Sequence, residues 1–150
     1  MTVPAGAASL VAVRVAYAAV FALNVTCALQ FAFDPAGYVA AYQLEGPGAE
    51  AAVRGMGVAF LMWNATYPLF VARPSSHAAL GAVVLVQQLI GCVGEVAILL
   101  SLPATGCEVL AASIVRFVVF DAAGLAAMGA TFAWHCATCR RAGARPTGRP

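Results

Sequence analysis

Residues 77–102 read HAALGAVVLVQQLIGCVGEVAILLSL, with one charged residue, Glu95, and no proline. The run exceeds the roughly 20 helical residues that cross about 30 Å of hydrocarbon. Three further stretches have the same character, giving expected spans at residues 10–33, 51–72, 77–102 and 109–134. In lipid each backbone N–H and C=O must be paired within its own segment or in a closed barrel. Barrel strands would show short alternating runs, and the chain has none, so the expected fold is all-α: a polytopic bundle of four transmembrane helices.

Composition agrees with that reading. Of 150 residues, 63% are hydrophobic and 9% charged, and mean hydropathy is +0.89, where a soluble domain carries about half and about a quarter respectively. Formal net charge is +2, and all eight basic residues are arginines. No basic surface is available to grip nucleic acid, and the lipid bilayer is the expected partner.

The breaks between spans have their own chemistry. Asp34-Pro35-Ala36-Gly37 stops the first helix, since proline cannot continue one and glycine is at ease at its end. Glu45-Gly46-Pro47-Gly48 punctuates the longest loop, and Arg73-Pro74-Ser75-Ser76 and Pro103-Ala104-Thr105-Gly106 make the other turns. One domain is expected over residues 1–139, followed by a disordered basic tail over 140–150, whose Arg, Gly and Pro offer too little apolar surface to offset ordering entropy.

Short loops rich in Lys and Arg stay on the cytoplasmic side. Arg73, Arg140, Arg141, Arg145 and Arg149, with Arg14 near them, fall on one face, whereas Asp34, Glu45, Glu50 and Glu108 with only Arg54 fall on the other. Both termini are therefore expected in the cytoplasm of a bacterial inner-membrane protein. A cleaved signal peptide over the first 30 or so residues is the competing reading, but its removal leaves an odd number of spans and splits the arginines between sides. Asn24-Val25-Thr26 and Asn64-Ala65-Thr66 match the glycosylation pattern inside expected helices, where no transferase reaches.

Ionised groups in a span cost about 2.5–3.5 kcal/mol each at mid-bilayer. Glu95 lies about seven residues from the outer end of the third span and Arg116 about seven into the fourth, which puts both near 10 Å deep and makes them natural partners. Arg54 enters the second span at the outer rim, Asp121 lies deeper in the fourth, and Asn24, Asn64, Gln87 and Gln88 add neutral polar groups. At 100° per residue Gln88, Gly91, Cys92 and Glu95 share one face of the third helix, Gly57 and Asn64 one face of the second, and Tyr17, Phe21 and Asn24 one face of the first. Arg116 and Asp121 are about 140° apart with Phe117, Phe120 and Gly124 between them. Gly91, Gly94, Gly124 and Gly129 are expected at close helix contacts. Trp63 points away from the Arg54 side, toward lipid or a second copy. Two readings of the polar set stand: a Glu95–Arg116 ion pair that fixes register, or the wall of a pocket for a proton, a quinone-like ring or a small polar solute.

Five cysteines include one pair at a recognised spacing, Cys136 and Cys139. With His135 and His77 they are weak candidates for zinc, because a single Cys-x-x-Cys with histidines at non-standard offsets is thin support, and no metal is expected. Free thiols are the expected state. The residues name no cofactor.

The chain resembles the DoxX-like group of small bacterial four-helix membrane proteins. The resemblance rests on size, on a first helix ending in Phe33-Asp34-Pro35, on Arg54-Gly55-Met56-Gly57 opening the second span, and on Gln88-x-x-Gly91-x-x-Gly94-Glu95 in the third. The string Phe60-Leu61-Met62-Trp63-Asn64-Ala65-Thr66-Tyr67-Pro68 reads as a subfamily signature. The resemblance implies a four-helix bundle and, for some members, quinone-linked sulfur oxidation. Two functional expectations follow: a non-catalytic accessory or scaffold protein that docks a membrane partner or a second copy, or a redox or small-solute transport component whose site is lined by Glu95, Arg116 and Asp121.

Overall fold

The computed structural model describes residues 5–143, which form helices and turns with no strand among them. Helix α1 (Ala5–Phe33) ends where Pro35 follows Asp34. A short α2 (Ala36–Val39) and a single 3-10 turn (Ala40–Tyr42) lead to α3 (Gly46–Asn64), α4 (Tyr67–Ala72), α5 (Ala78–Ser101) and α6 (Glu108–Gly143). Four helical stretches, with α3 and α4 counted together, are long and apolar enough to cross a membrane. The outer faces carry Val15, Leu23, Val58, Met62, Val86, Ile90, Leu100 and Val119, all exposed. A water-soluble monomer does not tolerate so continuous an apolar exterior, so the fold is that of a small multi-pass membrane protein.

The helices run up and down, so the described ends of α1 and α6 lie together: Ser9 Oγ is 3.3 Å from His135 Nδ1. Arg14, Arg73, Arg140 and Arg141 gather at this end, and the Arg14 guanidinium donates to the Ala72 carbonyl at 2.8 Å, satisfying the end of α4. Arg145 and Arg149 lie outside the described residues, as does most of the expected tail. Helix α6 itself continues past the expected end at Trp134 to Gly143, because nothing between them breaks a helix and Arg140 and Arg141 suit its negative C-terminal end. At 36 residues it is about 54 Å long and overshoots the hydrocarbon.

The second span departs most from expectation. It starts earlier, at Gly46, because Pro47 occupies the first turn, where a missing N–H costs nothing. It is also broken: α3 stops at Asn64 and α4 begins at Tyr67. Pro68 accounts for the break, since it has no N–H for the Asn64 carbonyl four residues back and its ring crowds that carbonyl. Consequently only the α4 piece packs against α5, while α3 packs along α1 and stands off from the third span.

That break divides the bundle into a closed half and an open half. The closed half is close-packed, apolar and aromatic: Val13, Tyr17, Phe70, Val84 and Met128 are all fully buried. Tyr17 packs at a tilt against Phe70 with centroids 4.4 Å apart and donates its hydroxyl to the Gly81 carbonyl at 3.0 Å. The closest backbone approaches are at Gly57, against Ala28, Phe31 and Ala32 of α1, and at Gly81, against Phe70 and Phe132. Of the glycines expected at contacts, Gly91 and Gly124 are tight, but Gly94 and Gly129 face open space. Their 100° positions put them off the packed face, a distinction that a count of small residues misses.

Residues 34–44, expected as plain loop, form a cap over the open half. Phe31 holds Tyr38 and Tyr42 by ring contacts at 4.9 and 6.0 Å. The Gln43 amide ties the cap down, donating to the Gly106 carbonyl at 2.8 Å and accepting from the Leu110 N–H at 3.0 Å. Gln43 adopts φ 53°, the left-handed conformation that ends the 3-10 turn and aims its side chain at α6.

Candidate functional site

Because α3 stands off from α5, the open half encloses a cavity of about 440 Å³. Each wall follows from a helical repeat. Helix α1 contributes Asn24, Cys27 and Phe31, three and four residues apart; α5 contributes Gln88, Gly91 and Glu95, likewise three and four apart. Helix α6 contributes Ser113, Arg116, Phe117, Phe120 and Asp121, and the broken span contributes Phe60, Trp63, Asn64 and Tyr67. Tyr38 and Tyr42 close the top. Burial among these walls pushes the Tyr42 hydroxyl pKa up, so it stays protonated at neutral pH.

Of the polar set expected within the spans, Asn24, Asn64, Gln87, Gln88, Glu95, Arg116 and Asp121 line this cavity and Arg54 does not. Arg54 is exposed on the outer face of α3. The 180° separation from Trp63 is as expected, but its direction is reversed: since Arg54 faces out, Trp63 faces the cavity and not lipid or a second copy. Phe117 and Phe120 sit between Arg116 and Asp121 as the helical angles require, and both flanking charges reach the same cavity from its two sides.

The expected Glu95–Arg116 ion pair is not formed. Arg116 is exposed at the rim and donates to Ser113 Oγ at 3.0 Å, one turn earlier on its own helix. Glu95 Oε2 is buried and has no hydrogen-bond partner. Equal depth was not sufficient for pairing, because a helical residue's neighbours at i−3 compete for a guanidinium that already points outward.

The contact that does bridge helices is deeper. Gln88, 7% exposed, donates to the Asp121 carboxylate at 2.8 Å and receives the Tyr67 hydroxyl on its Oε1 at 3.4 Å. Three elements, α4, α5 and α6, are thus joined by one amide. Gly91 makes room for it, since a Cβ there would stand 2.9 Å from Asp121 Oδ2. Asn64 spends its Nδ2 on the Phe60 carbonyl at 2.8 Å, leaving Oδ1 buried and unpartnered, and Gln87 Oε1 is likewise unpartnered.

Sequence reading missed Tyr67, Cys27, Phe31 and the two cap tyrosines. Extending the α1 face three and seven residues beyond Asn24 would have found Cys27 and Phe31. Tyr38 and Tyr42, four apart between a proline and a glycine, carried the signal of one helical turn.

At the closed end His135 is buried, with Ser75 Oγ 3.1 Å from Nε2 in addition to Ser9 on Nδ1. Cys139 Sγ is 3.6 Å from the same Nε2, Cys136 lines a shallow groove with Phe132 and Arg140, and His77 stands at the start of α5. Among the described residues no three His, Cys, Asp or Glu side chains come close enough to share a metal ion. All cysteines are free thiols. Compared with known proteins, the chain matches no family model, no curated protein and no solved structure.

Proposed function

We propose that this chain is a small-molecule-binding component of a membrane, which holds its ligand inside the open half of the bundle and exposes it to redox or transport chemistry, rather than a scaffold fixed by a buried ion pair. The observation that carries the reading is Glu95, a carboxylate within a span that is not spent on holding helices together and faces a cavity of ligand size. A carboxylate kept only for register would be paired, because an unpaired one costs several kcal/mol and returns no packing. The arginine-rich end is the cytoplasmic side under the positive-inside rule, so the cavity lies toward the outer face of a bacterial inner membrane. The resemblance to DoxX-like proteins is compatible with this assignment.

Native mass spectrometry of the protein in mild detergent, compared with Cys27→Trp, tests the reading. Cys27 lines the cavity and makes no hydrogen bond, so a larger ring there fills space. The wild type is expected to retain a small-molecule adduct that the variant loses while remaining folded. If the wild type carries no adduct and Cys27→Trp only raises thermal stability, the space is a packing void and the reading is wrong.

A further inference from the structure

Granted that the cavity is a ligand site, the hydrogen-bonding groups on its wall select the chemistry of what enters. Two amides on the wall already donate, Gln88 Nε2 to Asp121 and Asn64 Nδ2 to the Phe60 carbonyl. Both assignments are fixed by chemistry, since only an N–H can face a carbonyl oxygen. What remains enclosed and unpartnered on the wall is a set of oxygens: Asn64 Oδ1, Gln87 Oε1 and Glu95 Oε2, with Asn64 itself only 5% exposed. The tyrosine hydroxyls can donate or accept and do not tilt this count.

Charge leans the same way. Two carboxylates, Glu95 and Asp121, line the cavity against one guanidinium, and that guanidinium is exposed at the rim and engaged by Ser113. The rest of the wall is aromatic, with Phe60, Trp63, Phe117 and Phe120 presenting faces or edges to the space. Ring faces attract cations, the more so when water is excluded. Glu95 stands two turns of α5 above Gln88, about 10 Å along the axis, so the acceptors occupy two levels of the cavity.

We propose that the cavity binds a small protonated arylalkyl amine, its ammonium on Glu95, its ring among the aromatic side chains and a second donor directed to the deeper oxygens of Asn64 and Gln87. A ligand of this kind supplies donors to the oxygens that lack them and a countercharge to the unpaired carboxylate. An oxidised quinone offers only acceptors and leaves both needs unmet.

Tyramine, which has an ammonium and a ring hydroxyl at opposite ends, is a fitting probe, with tyrosol as its neutral alcohol counterpart and menadione as the acceptor-only ring. Binding is read from Trp63 emission in detergent-solubilised Trp134→Phe protein, with Trp63→Phe as the control that the signal comes from the cavity. Tyramine is expected to bind at least about tenfold more tightly than tyrosol or menadione, and Glu95→Gln, which keeps an acceptor oxygen but removes the charge, to abolish that preference. If Glu95→Gln does not fold, Gln87→Leu serves, since it removes an unpartnered oxygen and breaks no bond; it is expected to weaken tyramine severalfold.

Equal binding of tyrosol, tighter binding of menadione, or tyramine affinity unchanged in both variants overturns the amine assignment. A Trp63-dependent signal from any of the three probes would still leave the cavity a ligand site. No binding by any probe also overturns the amine assignment, and the adduct experiment then decides the ligand-site reading separately.

Discussion

Gly57→Ala is expected to destabilise the bundle by about 3 kcal/mol or more, beyond the usual range for a single added methyl. A Cβ at Gly57 would stand 2.7 Å from both the Ala28 carbonyl oxygen and the Ala32 nitrogen and 2.9 Å from Phe31 Cβ. Two of these obstacles are backbone, which cannot rotate aside, so α3 must move away from α1 along the longest contact in the open half. In hydrocarbon no hydrophobic gain offsets that separation, because lipid tails are as apolar as the side chains they replace. Gly55→Ala, two residues earlier on the same helix, meets nothing within 4 Å and should be neutral or stabilising by about 0.5–1 kcal/mol. Unfolding of the two variants by denaturing detergent in mixed micelles measures the contrast. Equal stability would mean that α1 and α3 are not in this register.

Gln88→Leu is expected to cost about 2–3 kcal/mol by the same measurement. The substitution conserves bulk but removes the donor to Asp121 at 2.8 Å and the acceptor for Tyr67, leaving a carboxylate in a span without its partner. Gln88→Glu should be worse, since it puts a second carboxylate where the first needs an N–H. Asp121→Asn tests the same bond from the other side: its side-chain oxygen still accepts from Gln88, so stability should fall by no more than about 1 kcal/mol. Near-equal effects of Gln88→Leu and Asp121→Asn would show that the amide does not join α5 to α6.

The four spans were legible because membrane crossing is a one-dimensional property: about 20 apolar residues in a row suffice, wherever they pack. Which residues share a face was also legible, since Gln88, Gly91 and Glu95, or Phe117 and Phe120 between Arg116 and Asp121, follow from 100° per residue alone. Partner choice was not. Arg116 and Glu95 sit at similar sequence depth, yet rotation of α6 turns Arg116 to the rim, where it donates to Ser113 of its own helix, and rotation of one helix relative to its neighbours is set by tertiary packing that no single span encodes. Trp63 shows the same limit in its simplest form: its angle from Arg54 was correct, and the side facing the bundle was inverted. The break at Asn64 carried a local signal in Pro68, whose missing N–H falls four residues on. Its consequence, a cavity between α3 and α5, required knowing that α4 alone touches the third span.

Glu95 faces the cavity unpaired, and a double-mutant cycle with Glu95→Gln, Arg116→Met and the combined variant reads this most directly. If the two side chains do not interact, their effects on unfolding free energy add within about 0.5 kcal/mol, and Glu95→Gln alone leaves the bundle as stable as the wild type or more so. A coupling well above about 1 kcal/mol, with each single change costly and the double change better tolerated, would show that the pair holds the helices together and that the carboxylate is structural.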